Sequence, residues 1–168
     1  MFTTFLQHVP TWVFGLLFAL IAFGVAQSFP RSVSLRRSAV LPLVLVGLSL
    51  MGVVTTFGQQ PLALLAWAAG LSAALLGLQG RIDTSAVRFS ADTGRFQVPG
   101  SWLPLALMMV LFAVKFGVGA LLAMRPDLRS SMPLALLASA AYGLFSGVFG
   151  ARAMALWTLT RQPLPQAA

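Results

Sequence analysis

Residues 103–124 read LPLALMMVLFAVKFGVGALLAM, an apolar run interrupted by one charge, Lys115. A helix of about 20 apolar residues crosses the hydrocarbon core of a bilayer. The run is apolar on every side, as a helix surrounded by lipid must be. A transmembrane strand is excluded by length, since barrel strands are about 10 residues of alternating polarity. Four more runs of the same kind flank it, at about 9–27, 39–57, 61–79 and 133–160. The expected fold is therefore all-α transmembrane. It is a five-span helical bundle in a single membrane domain, residues 1–168, with one long loop, 80–102.

Composition agrees. The chain is 58% hydrophobic and only 8% charged, where a soluble domain carries about 25% charged residues. A water-facing surface cannot be covered with so few charges, and disorder requires low hydrophobicity. Pro and Gly mark the cuts. Ser28-Phe29-Pro30 ends the first run, Gly58-Gln59-Gln60-Pro61 turns between the second and third, and Arg125-Pro126-Asp127 closes the fourth. Pro42, Pro104 and Pro133 are expected in first helical turns, where the missing N–H is harmless.

Lys and Arg give the orientation. With the N-terminus outside, eight Arg fall in inner segments (31, 36, 37, 81, 88, 95, 152 and 161) and two, Arg125 and Arg129, in outer ones. The chain is thus expected in a bacterial cytoplasmic (inner) membrane, with N-terminus periplasmic and C-terminus cytoplasmic. Trp12, Trp102 and Trp157 fall near the interfaces. The flanking charges oppose a cleaved signal peptide, because no base precedes the first run and three Arg follow it. The net charge of +8 follows the positive-inside pattern, so it speaks for anionic lipids and not for nucleic acid. Arg36, Arg37, Arg88, Arg95 and Arg152 are the expected headgroup contacts.

Within the loop, Val87-Arg88-Phe89-Ser90 and Arg95-Phe96-Gln97-Val98 alternate around Ala91-Asp92-Thr93-Gly94. This predicts a short cytoplasmic β-hairpin. Its apolar face would carry Val87, Phe89, Phe96 and Val98 and lie on the headgroups.

The chemistry available is narrow. There is no Cys and no Glu, one His (His8), and three acids, Asp83, Asp92 and Asp127. Disulfides, thiolates, zinc-protease motifs and intramembrane carboxylate relays are thereby excluded. No catalytic residue, metal or cofactor is expected. The Met residues read as apolar filler, and His8 as an interfacial residue. A Ser–Lys dyad of Ser146 with Lys115 is chemically conceivable, yet nothing marks an oxyanion hole.

Lys115 is the outstanding residue. It lies near mid-bilayer, where a Lys costs about 2.5–3.5 kcal/mol on insertion scales. Counting nine residues inward from Pro133 reaches Tyr142, and nine back from Met124 reaches Lys115. If the last two spans are antiparallel neighbours, Lys115, Tyr142 and Ser146 form a polar cluster between them. The cluster either fixes packing or binds an anionic or carbonyl-bearing ligand. Small residues repeat every four positions, as Ser139-Gly143-Gly147-Ala151 and as Ala66-Gly70-Ala74. Such stripes let helices approach closely, here expected within the chain.

The segment Val98-Pro99-Gly100-Ser101-Trp102-Leu103-Pro104, then Lys115-Phe116, then Gly150-Ala151-Arg152-Ala153-Met154-Ala155-Leu156 resembles a group of small uncharacterised bacterial inner-membrane proteins. More distantly it is similar to the CcdC-like membrane proteins. The resemblance implies five spans and a bacterial membrane, and it carries no activity or functional residues. Two functions stay open. One is an accessory, non-catalytic membrane component with a membrane-protein partner. The other is a small transporter or binding protein using Lys115.

Overall fold

The computed structural model describes residues 11–90, 93 and 95–159, without the side chains of 11, 12, 16, 35–39, 41 and 89, and these residues form five α-helices and three short strands. The order is α1 (Thr11–Gln27), β1 (Arg31–Ser34), α2 (Leu35–Phe57), α3 (Pro61–Leu78), β2 (Arg88–Ser90), β3 (Arg95–Val98), α4 (Leu103–Met124), a 3-10 turn (Pro126–Ser130) and α5 (Met132–Leu159). The expectations for His8 and Arg161, and for the side chains of Trp12, Arg36 and Arg37, fall outside the described residues.

Three of the helices, α3, α4 and α5, are long and apolar enough to cross a membrane. The apolar parts of α1 and α2, Val13–Gln27 and Pro42–Phe57, are shorter. A membrane protein follows from composition and from these helices together. Large apolar side chains face outward, among them Phe18 (69% exposed), Leu43 (69%) and Leu137 (72%).

α5 is the central element. Half of its apolar window is buried, against 11% for α4. Its most extensive partner is α3, followed by α2, while α1 leans on α4. The expected close pairing of α4 with α5 is corrected here. Their connection is short, but their axes touch little, because the small-residue face of α5 is taken by α3. On α3 the buried face runs Ala63, Trp67, Gly70, Ala74, with Ala66 only partly covered. On α5 it includes Ser139, Gly143, Gly147 and Ala151. A Cβ added at Gly143 would meet the carbonyl of Trp67, and one at Gly70 the carbonyl of Ala140. The two backbones are therefore in contact, which no larger residue permits.

The core cluster joins Val53 and Phe57 of α2, Ala63 and Trp67 of α3, Leu122 of α4, and Ala135, Ala138 and Tyr142 of α5. Leu111, Val114 and Val118 of α4 pack against it. These three and Leu122 recur at helical spacing and form the stripe through which α4 joins the bundle.

Two turns differ from expectation. α2 begins at Leu35, so Pro42 lies inside the helix and not in its first turn. The ring leaves the carbonyl one turn earlier without its usual amide donor. Gly80 has φ +73°, the left-handed conformation that ends α3 and that only Gly adopts without cost.

The hairpin of β2 and β3 is antiparallel, with Phe89 opposite Phe96 and Arg88 opposite Gln97. A third strand, β1, pairs with the other edge of β3, setting Val33 opposite Phe96 and Ser32 opposite Gln97. The sheet order is β1-β3-β2. An isolated hairpin is marginal in water, and β1 supplies the missing strand. Phe96 is fully buried, so its ring is covered by protein and not laid on headgroups as expected.

Candidate functional site

Lys115 sits in the middle of α4, between a run of apolar residues on either side. Its Nζ lies 4.7 Å from the centroid of the Tyr142 ring on α5. The amine also rests against α2, where a Cβ at Gly52 would come within 3.1 Å of it. One flexible side chain thus bridges from α4 to two helices that its own backbone hardly touches. An ammonium over an aromatic face is attracted by the ring quadrupole, by about 2 kcal/mol when water is excluded. None of α1–α5 carries a carboxylate, so the negative ring face of Tyr142 is what offsets the charge there.

The expected cluster is brought together in part. Lys115 and Tyr142 are in contact. Ser146, one turn further along α5, turns back and donates to the Tyr142 carbonyl at 2.9 Å. That local bond is a common fate of Ser in a helix.

Two members were not anticipated. Ser49 of α2 donates to the same Tyr142 carbonyl at 3.2 Å, and Trp67 Nε1 of α3 donates to Ser49 Oγ at 3.1 Å. Ser49, Ser146 and Tyr142 are buried, and Trp67 is 9% exposed. The relay from α3 through α2 to α5 satisfies an indole N–H that burial would otherwise leave without an acceptor. Together with Lys115 it ties four helices at one level. The signal for Trp67 was present in the sequence, since a Trp amid small residues in an apolar run needs a partner. Nothing in the sequence singled out Ser49 as that partner.

Of the expected headgroup contacts, Arg88 and Arg95 lie exposed on the sheet, and Arg152 is partly buried near the end of α5. Arg95 Nη1 donates to Ser32 Oγ of β1 at 3.3 Å. Among the described residues there is no group of three His, Cys, Asp or Glu able to hold a metal ion.

A family model covers residues 1–167. The chain belongs to a family of unknown function, DUF6622. No curated protein and no solved structure matches it. The likeness to small uncharacterised membrane proteins is thereby given a family, and nothing in the comparisons links this member of DUF6622 to CcdC-like proteins.

Proposed function

We propose that this member of DUF6622 is a non-catalytic accessory protein of the bacterial inner membrane. It crosses the bilayer five times, with its N-terminus in the periplasm and its sheet and C-terminus on the cytoplasmic side, and it acts by binding a membrane-protein partner. The carrying observation is the position of the Lys115 amine. The single charge deep within the long apolar helices is engaged inside the chain, over Tyr142 and against Gly52. On this reading the mid-membrane base is a structural clamp and not a catalytic or ligand-binding group. Interaction through the outer surfaces is then the available mode of action. The count of five is supported by the apolar outward side chains of α1 and α2, such as Phe18 and Leu43, and by the packing of both helices alongside the three longer ones.

The second reading gives Lys115 a ligand. It is favoured by the amine's three donor hydrogens meeting a ring face and not a carboxylate. Native purification in mild detergent with mass spectrometry separates the two. On the accessory reading the wild-type chain and Lys115→Met retain the same protein partner, and Lys115→Met melts at the same or a higher temperature. A small anionic or carbonyl compound bound to the wild type and lost from Lys115→Met establishes the ligand reading instead.

A further inference from the structure

Where α1 turns into β1, a half-buried polar cluster is made of donors without matching acceptors. Arg31 Nη2 donates to Gln27 Oε1 at 2.8 Å. That bond fixes which way the amide points, because only its oxygen accepts. Gln27 Nε2 is then buried with no acceptor, on a residue only 7% exposed. Native folds seldom leave a buried N–H group unpaired. The turn is pinned in place. The Ser101 amide donates to the Gln27 carbonyl at 3.2 Å, and a Cβ at Gly100 would strike the carbonyl of Ser28.

Strand alternation sends the Arg31 side chain to the face of the sheet opposite Ser32. On that side stands Arg152 of α5, near enough for the two charges to repel. Arg152 lies seven residues before Leu159, the last of its helix, about 10 Å along the axis. Both Arg are half-buried. Burial, and then the Arg152 charge, hold Arg31 below its usual pKa. Guanidinium groups stay charged nonetheless, so the repulsion stands, and a bound anion would relieve it. The two described carboxylates are engaged elsewhere. Asp127 lies 3.7 Å from Arg125, and Asp83 accepts the Ser85 amide at 2.9 Å. α1 packs on α4, and α4 touches α5 little. The two guanidinium groups therefore approach across an interval that long side chains span, and not across a packed helix seam.

We propose that Arg31 and Arg152 together bind a phosphate-bearing anion between the end of α1 and α5, beside the unpaired amide of Gln27. A phosphoryl group presents several acceptor oxygens, enough for one guanidinium fork and for a second Arg. It brings the negative charge that both Arg lack and the acceptor that Gln27 Nε2 lacks. Gln27 grips one Arg31 nitrogen and so holds the remaining donors in a fixed orientation. This proposal does not rest on the partner-binding reading. The phosphate belongs either to a lipid headgroup or to a free anion, and the two sources are separable.

The test uses the full chain in a maltoside detergent and a phosphate-free Tris buffer. Phosphatidylglycerol, diacylglycerol with the same acyl chains, or inorganic phosphate is titrated in. Retained lipid is read by native mass spectrometry, and stabilisation by thermal shift. Retention of phosphatidylglycerol over diacylglycerol assigns a headgroup, and stabilisation by inorganic phosphate without that lipid preference assigns a free anion. In either case Arg31→Gln and Arg152→Gln each weaken binding about tenfold or more. Arg88→Gln leaves it unchanged, because Arg88 shares a row with Ser32 on the other face of the sheet. Gln27→Glu puts a carboxylate of the same shape beside Arg31. It is expected to melt higher than wild type without phosphate and to gain nothing further when phosphate is added, which decides the matter even if the Arg variants do not purify. The proposal is overturned if neither phosphatidylglycerol nor inorganic phosphate binds, if Arg88→Gln weakens binding as much as Arg31→Gln does, or if phosphate stabilises Gln27→Glu as it does the wild type.

Discussion

Tyr142 carries two jobs that substitution separates. Its ring faces the Lys115 amine, and its carbonyl accepts from Ser49 and Ser146. Tyr142→Phe keeps both features and is expected to melt within a few degrees of wild type. Tyr142→Leu removes the π face and leaves the amine without its counter-charge, and it is expected to cost roughly 2–4 kcal/mol. Lys115→Met should relieve part of that loss, giving a coupling of about 1–2 kcal/mol in a double-mutant cycle, read by thermal or denaturant unfolding in detergent. If the cycle is additive, the contact does not stabilise the fold. At this scale the sequence was partly legible. Depth counting from Pro133 and Met124 brought Lys115 to Tyr142, because helical rise is fixed at about 1.5 Å per residue. It did so even though α4 and α5 are not close neighbours, since a Lys side chain reaches across the gap. Ser49 stayed hidden, because nothing in a helix of apolar residues says which face of it meets which neighbour.

The seam between α3 and α5 is the bundle's tightest contact, and its glycines set the spacing. Gly143→Ala places a methyl group against the carbonyl of Trp67 and the amide of Leu71. The helices must separate, at an expected cost of about 1–3 kcal/mol from overpacking, and the nearby bond from Trp67 to Ser49 is strained with them. Gly117→Ala on α4 is the control. A Cβ there meets nothing within 4 Å, and removing a helix Gly is expected to leave stability unchanged or raise it by up to about 1 kcal/mol. Thermal melts of the purified variants check both. If Gly143→Ala is as stable as Gly117→Ala, the seam is looser than described. The small-residue stripes were readable as a packing device, and helix limits fell close to the apolar runs. Two features were not readable. Arg31-Ser32-Val33-Ser34 holds a single apolar residue, too little alternation to announce β1, which exists because β3 offers an open edge beside it. The start of α2 at Leu35 was missed because Arg36 and Arg37 break the apolar pattern without breaking the helix.

For the whole molecule, the uneven distribution of Arg predicts how it sits. Reporter fusions should make a cytoplasm-active fluorescent tag bright and a periplasm-active phosphatase silent at the C-terminus. The reverse pattern is expected for a fusion in the 125–131 turn. A phosphatase active at the C-terminus would overturn the orientation and move the three-stranded sheet to the periplasmic side. The pairing of β1 with β3 also bears on how the chain is made. Ser32 and Arg95 stand 63 positions apart yet share a hydrogen bond. At about 5–20 residues per second of synthesis, the earlier strand waits roughly 3–13 s for its mate. α1 waits still longer for α4, which follows the sheet in the chain. α2 and α3 wait in turn for α5, so every described helix meets its main partner across the midpoint of the chain, and none completes its docking until the second half has been made.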